Sequence, residues 1–233
     1  MTAPPARPQS APAPNAPWLF GLLNVSYGFT SAVSFILIPY LLRKYGVAVD
    51  RIAGVVAVAM IPTAWGFLWS PLADAGLRRR SCVLFSALAA ALAASVAILG
   101  IHGSLTVLTM LLFLSTAFSG LLGSATGGLL TGMPQSLRGR AAGCSQAGNL
   151  GGGAMGGGMV IWLADNAALP AVAAAIAAAI VVPALAALFI EEPDPFRRSL
   201  GPLLRALFHD LREVFLSRRT WLGLLFFVSR SYR

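Results

Sequence analysis

Residues 81–137 decide the fold, and they read SCVLFSALAAALAASVAILGIHGSLTVLTMLLFLSTAFSGLLGSATGGLLTGMPQSL. This stretch contains no Asp, Glu, Lys or Arg. Since about 20 mostly apolar residues suffice to span a bilayer as an α-helix, it is too long for one span. His102, Gly103 and Ser104 divide it into two segments of helix length. Residues 81–137 therefore predict two consecutive transmembrane helices.

Charge-free runs recur along the rest of the chain, at 8–42, 52–73, 141–164, 166–190 and 220–229. Together they predict spans near 18–42, 52–71, 82–101, 105–130, 142–164 and 169–190. Residues 1–17 are rich in proline and predict a disordered cytoplasmic tail. The chain is thus expected to be an all-α polytopic membrane protein, with the lipid bilayer as its main partner and a six-helix bundle over residues 18–190.

The composition excludes several other classes of protein. Hydrophobic residues make up 57% of the chain and charged residues 11%, whereas a soluble domain carries about 25% charged residues. The net charge of +9 would suit a nucleic-acid partner, but no basic face is interleaved with aromatic residues. We therefore expect no nucleic-acid binding.

The basic residues are unevenly distributed between the two sides of the predicted bundle. Twelve arginines fall on the side of the N-terminus, and Arg43, Lys44 and Arg51 are the basic residues of the other side. Because basic loops stay in the cytoplasm, this bias predicts a cytoplasmic N-terminus in a plasma (inner) membrane.

The inventory of reactive side chains predicts no enzyme. Both histidines, His102 and His209, fall in predicted loops, and no charged residue lies well inside a span. Cys82 and Cys144 have no paired spacing that would suggest a disulfide or a metal site. We expect no catalytic residues, no metal and no cofactor.

Polar residues are unevenly distributed among the predicted spans. Asn24, Tyr27, Ser31 and Ser34 share one face of the first span, and the fourth also carries hydroxyls, whereas spans three and six are almost purely aliphatic. A helix that lines an aqueous cavity needs such a polar stripe. Spans one and four are therefore predicted to be central, with a period of three helices. The residues expected to line the cavity are Asn24, Tyr27, Ser31, Gln146 and Asn149.

The fifth span is glycine-rich and reads GCSQAGNLGGGAMGGG over residues 143–158. Gly148, Gly152 and Gly156 form a ridge of small residues, which lets helix backbones approach closely. Two interpretations remain open: static helix packing within the bundle, or a smooth surface against which another half of the protein slides.

Three motifs carry a resemblance to a known family. Residues 66–80, GFLWSPLADAGLRRR, resemble the loop signature between helices two and three of the major facilitator superfamily. Tyr27-Gly28-Phe29 with the helix end at residues 39–42, and residues 138–148, are similar to the first and fifth spans of the branch that contains AmpG-like muropeptide permeases and acetyl-CoA transporters.

The resemblance implies a fold, a function and a gate. It implies alternating access by two six-helix halves, each built from two three-helix repeats, which carry a small-molecule solute such as a muropeptide-like or siderophore-like compound. Residues 18–190 would then be the N-terminal half, 191–219 the linker between halves, and 220–233 the truncated start of helix seven; the missing C-terminal half would be a partner. The gate would comprise residues of the two cytoplasmic loops, Asp74, Arg78, Arg79, Arg138 and Arg140.

A second class of function stays open at this point. A six-helix membrane scaffold, or a protein that homodimerises through the glycine ridge, would share the same hydropathy. The polar stripe on the first span favours the transporter, because a scaffold does not need a hydrated face.

Overall fold

The computed structural model describes residues 16–74 and 78–192. Residues 1–15 of the predicted tail, residues 193–219 of the predicted linker and the predicted start of helix seven at 220–233 lie outside the described residues.

Within these ranges the chain forms seven helices joined by short loops. In chain order they are α1 (Pro17–Lys44), α2 (Val49–Ala64), α3 (Gly66–Asp74), α4 (Arg79–Leu99), α5 (Leu105–Thr131), α6 (Gln135–Asn166) and α7 (Leu169–Phe189). The protein is all-helical over the described ranges, and a helix covers most of each predicted span.

Four of the helices, α1, α4, α5 and α7, are long and apolar enough to cross a membrane. The other two predicted spans differ from this pattern. The second span is divided into α2 and α3, and the fifth is α6, a helix of 32 residues whose many glycines lower its hydropathy. The described residues thus give four helices with the length and hydropathy of a membrane span and do not confirm the six spans predicted from the charge-free runs.

A proline alters the first helix without ending it. Residues Val33–Leu37 adopt π-helical geometry, and the amide of Ile38 donates to the carbonyl oxygen of Val33, five residues earlier. Pro39 follows directly and has no amide to donate, and its ring would clash with the preceding turn of a regular α-helix. The wider π turn accommodates Pro39, so α1 continues to Lys44.

The division between α2 and α3 lies at Trp65. This residue has φ −91° and ψ 21°, outside the α-helical region, and its amide bonds to the carbonyl oxygen of Pro62. Pro62 and Pro71 stand on either side and each removes an intrahelical hydrogen bond, while Gly66 has little intrinsic preference for helix. Three weak helix formers within ten residues thus explain the break.

The most extensive helix interface joins α1 and α6. A Cβ atom built on Gly152 would lie 2.6 Å from the carbonyl oxygen of Val25, and one on Gly148 would overlap the carbonyl oxygen of Gly21. On the other helix, a Cβ at Gly28 would lie 2.6 Å from the amide nitrogen of Gly153. The two backbones are therefore in direct contact, and the glycine ridge faces α1 rather than an outer surface.

Buried hydroxyl groups join α5 to its neighbours. Thr116 donates to the carbonyl oxygen of Ala59 on α2 at 2.7 Å, and Ser115 donates to that of Ala90 on α4 at 3.0 Å. Such bonds matter in a membrane protein because no hydrophobic effect drives helices together there. Helix α4 also packs against α7, so these two aliphatic helices lie side by side.

The close contact of α1 with α6 generates a stability prediction. Gly152→Ala places a methyl group on backbone atoms of Val25 that cannot move aside, so the helices must separate. We expect unfolding in mixed detergent–SDS micelles to become easier by about 1–3 kcal/mol, the usual cost of overpacking. Gly151→Ala is the matched control, since nothing lies within 4 Å of its Cβ position. Equal unfolding midpoints for the two variants would contradict the packing argument.

Candidate functional site

A polar cavity of about 340 Å³ opens between the helices. Its walls come from α1, α2, α3, α5 and α6, and no charged side chain is among the described residues that line it. The lining residues are Asn24, Tyr27, Thr63, Gly66, Trp69, Gly120, Gly123, Ser124 and Asn149. Helices α4 and α7, both fully within the described ranges, contribute no residue to this lining, so the cavity lies on the side of the bundle that carries the polar groups.

Asn24 connects α1 to α6 at the cavity wall. Its side-chain amide donates to the hydroxyl of Ser145 at 2.7 Å and to the carbonyl oxygen of Phe20 in its own helix at 3.1 Å. Asn149 lies one turn after Ser145 on α6 and lines the same cavity. The close approach of α1 and α6 thereby brings the two asparagines onto one wall.

Tyr27 packs against a glycine of α5. A Cβ atom on Gly123 would lie 3.5 Å from two carbon atoms of the Tyr27 ring, at ordinary contact distance. The Tyr27 ring therefore lies beside α5 with room for a methyl group at Gly123, and it lines the cavity. Gly120 and Ser124 on the same helix continue this wall.

Two residues that were predicted with this group lie elsewhere. The hydroxyl of Ser31 donates to the carbonyl oxygen of Tyr27 at 3.1 Å and is therefore engaged by its own helix. Gln146 is exposed on α6. Neither lines the cavity; Asn24, Tyr27 and Asn149 do.

Sequence reasoning did not select Trp69, although it lies inside the quoted loop motif. Its indole N–H donates to the carbonyl oxygen of Pro62 at 3.0 Å. Its ring rests on Gly120, where an added Cβ would come within 2.8 Å of the indole nitrogen. Two features of the sequence could have indicated it. Trp69 is an aromatic residue that follows Pro62 and Gly66, two weak helix formers, and Gly120 and Gly123 are spaced three residues apart on the fourth span.

Two arginines of the predicted gate, Arg79 and Arg138, bond to carbonyl groups near the end of α5. Arg138 donates to the carbonyl oxygens of Thr131 and Met133 at 3.1 Å each, where α5 ends. The guanidinium of Arg79 bonds to the carbonyl oxygen of Gly128. Arg78 and Arg140 are exposed. A cation at a helix C-terminus offsets its negative dipole, so Arg138 stabilises the end of α5.

The acidic member of the predicted gate is Asp74. It is the last residue of α3, and its side chain lies outside the described residues. A different carboxylate meets the arginine loop: Glu192 accepts hydrogen bonds from the backbone amides of Arg79 at 2.9 Å and Arg80 at 3.3 Å. Glu192 therefore caps the N-terminus of α4, where a negative charge is favourable.

A second ionic group joins α1 to α6 at the opposite end of the bundle. Lys44 and Asp165 form a salt bridge of 2.8 Å, and the hydroxyl of Tyr40 donates to the same carboxylate oxygen at 2.7 Å. Both charged side chains are more than 40% exposed. Sequence reasoning did not single out this cluster. It joins the ends of α1 and α6, whose middle sections meet through glycines.

Comparison with known proteins gives one match. A family model described as Major Facilitator Superfamily matches residues 19–231, which is most of the chain. The curated proteins and the solved structures give no match.

The cavity geometry generates a labelling prediction. In the full chain with Cys82 and Cys144 replaced by alanine, Tyr27→Cys and Asn149→Cys should react with a water-soluble maleimide several times faster than Leu88→Cys or Ala175→Cys. Leu88 is 60% exposed on α4 but lies on an aliphatic helix away from the cavity, so its thiol would meet lipid instead of water. Equal rates at all four positions would mean that the cavity is dry.

Proposed function

The chain belongs to the major facilitator superfamily, and we propose that it forms the N-terminal six-helix half of a secondary active transporter. It is an integral membrane protein of transporter type rather than an enzyme. In the proposal the protein resides in the inner membrane, its N-terminus is cytoplasmic, and the solute crosses by alternating access between two halves. The basic bias toward the N-terminal side supports this orientation.

The cavity is the observation that carries the proposal. Its volume of about 340 Å³ falls within the range of about 300–1,000 Å³ that is usual for small-molecule sites. Asn24 and Asn149 offer both donors and acceptors, and Tyr27 and Trp69 add aromatic surface. This lining suits an uncharged, hydrogen-bonding part of a small organic solute.

We further propose a place within the superfamily and a solute class. The motifs at residues 66–80 and 138–148 support the AmpG-like branch, and the proposed solute is a muropeptide-like or siderophore-like compound. Both kinds of compound carry amide and hydroxyl groups, which the asparagine side chains of the cavity could bind.

The alternative of a membrane scaffold that homodimerises through the glycine ridge is less well supported. Gly152 and Gly156 are buried, and an added Cβ at Gly156 would meet Ala32 and Phe29 of α1 at 3.0–3.2 Å. A ridge occupied by α1 of the same chain has no surface left for a second copy.

A two-sided labelling experiment tests the transporter proposal without knowledge of the solute. The chain is combined with the proposed C-terminal half, carries Tyr27→Cys with Cys82 and Cys144 replaced by alanine, and is reconstituted into proteoliposomes. An impermeant maleimide is then added either outside or inside. Alternating access predicts that the thiol reacts from both sides. Tyr45→Cys, in the exposed loop after α1, is the control and should react from one side alone. One-sided reaction at Tyr27→Cys would favour a static protein.

We also propose that Asp74 acts with Arg78, Arg79, Arg138 and Arg140 as a gate of one access state. An acidic group at a membrane boundary loses solvation energy unless it is paired or caps a helix. The basic residues of two adjacent loops supply such partners, and the resemblance of residues 66–80 to the family's loop motif supports the assignment.

The gate generates a prediction about coupling. Asp74→Asn should change the ratio of inside to outside labelling at Tyr27→Cys while insertion into the membrane is retained. Its effect should be non-additive with that of Arg138→Gln by about 0.5 kcal/mol or more, as for residues in contact. Arg51→Gln, on the opposite side of the bundle, should be additive. If the effect of Asp74→Asn were additive with substitution of each of the four gate arginines, Asp74 would be a solvated loop charge with no part in a gate.

A further inference from the structure

We propose that α3 is a hinged wall of the cavity, with its pivot at Trp65 and Gly66, and that Trp69 is the positioning residue that holds it closed against Gly120. This goes beyond the proposed function, and its tests need neither a solute nor a second half of the protein.

The pivot lies next to the cavity, at the point where the helix is interrupted. Trp65 leaves helical geometry, and both Thr63, two residues before it, and Gly66, directly after it, line the cavity. A Cβ atom on Gly66 would meet nothing within 4 Å, so the space around this backbone is open. The backbone at Gly66 therefore has room to change its angles, which would turn α3 relative to α2.

Helix α2 is fixed close to the pivot. Thr116 of α5 is buried and donates at 2.7 Å to the carbonyl oxygen of Ala59, within two turns of the break. The ring of Trp65 packs edge-on against Phe113 of α5, with ring centroids 6.2 Å apart. Any hinge motion at the break must therefore move α3, because α2 and the pivot itself are held to α5.

Trp69 makes two contacts, and a small movement of α3 would break both together. Its indole N–H reaches back across the break to Pro62, and its ring lies on Gly120 at a distance that excludes any side chain there. The carbonyl oxygen of Pro62 thus accepts two hydrogen bonds at the break, one from the Trp65 amide and one from the Trp69 indole. Trp69 of α3 thus packs against α5 at Gly120, one turn before Ser124, and both Trp69 and Ser124 line the cavity.

Two substitutions separate a hinge from a fixed wall. Gly120→Ala denies Trp69 its position on α5, because the new methyl group would lie 2.8–3.0 Å from the indole nitrogen and Cδ1. Gly127→Ala, two turns further along the same helix, is the matched control, because nothing lies within 4 Å of its Cβ position. Both changes add the same methyl group to α5, so a difference between them reports on Trp69.

The first readout is the distance between spin labels at Leu72→Cys on α3 and Thr131→Cys at the end of α5, both exposed positions. The full chain, with Cys82 and Cys144 replaced by alanine, is measured in lipid nanodiscs. We expect a longer distance component to dominate in Gly120→Ala, while Gly127→Ala keeps the distribution of the parent protein. The same distribution in all three proteins would overturn the proposal.

The second readout is the reaction of Ser124→Cys with a water-soluble maleimide. It should become several-fold faster in Gly120→Ala and stay unchanged in Gly127→Ala, because water enters where Trp69 withdraws. Tyr45→Cys reports on the general state of the protein and should react equally in all variants. An unchanged or slower reaction at Ser124→Cys would also overturn the proposal.

If Gly120→Ala does not fold, Trp69→Phe tests whether α3 is hinged. It adds no atoms to the interface but removes the N–H that bonds to Pro62. We expect the longer distance component and the faster labelling in this variant too, and parent-like values in both readouts would overturn the hinge. The proposed transport function could fail its own two-sided labelling test while these results held, so the two outcomes are distinguishable.

Discussion

The contact of the α1 and α6 backbones is the constraint on which the rest of the structure depends. In a bilayer, apolar side chains gain little by leaving lipid for one another, so close packing and hydrogen bonds must hold helices together. Glycines on both helices allow the approach, with Gly28 against Gly153 and Gly152 against Val25. Ionic and hydrogen-bonded groups at the helix ends, such as Lys44 with Asp165, then fix the rotation of one helix against the other.

The same contact positions the cavity. Asn149 directly follows Gly148 of the glycine ridge, and its own carbonyl oxygen faces Gly28, where an added Cβ would overlap it. Its place relative to Asn24 is therefore set by backbone packing, and the bond of Asn24 to Ser145 reinforces it. On the opposite wall, the Tyr27 ring lies beside Gly123 of α5, where an added Cβ would be at ordinary contact distance. The glycines of α1 and α6 thus determine where the two asparagines of the site meet.

Much of this arrangement could be predicted from the sequence because hydropathy is a local property. Charge-free runs located the helices, and polarity distinguished the helices that line the cavity from aliphatic α4 and α7. Periodicity placed Tyr27 and Ser31 on one face of α1 but could not give the depth along it: Tyr27 lines the cavity, whereas the Ser31 hydroxyl bonds to its own helix. Gln146 was selected for its polarity, and it is exposed on α6.

The break at Trp65 was missed for a different physical reason. A charge-free run shows that a segment can be helical in lipid, but not whether the helix is continuous. Pro62, Gly66 and Pro71 weaken the helix locally, yet Pro39 in α1 is accommodated by a π turn and that helix continues. The two cases differ in the local sequence: no other proline or glycine lies within five residues of Pro39, whereas Pro62, Gly66 and Pro71 fall within ten residues. One proline can be accommodated as a π turn, while several weak helix formers in succession divide the helix.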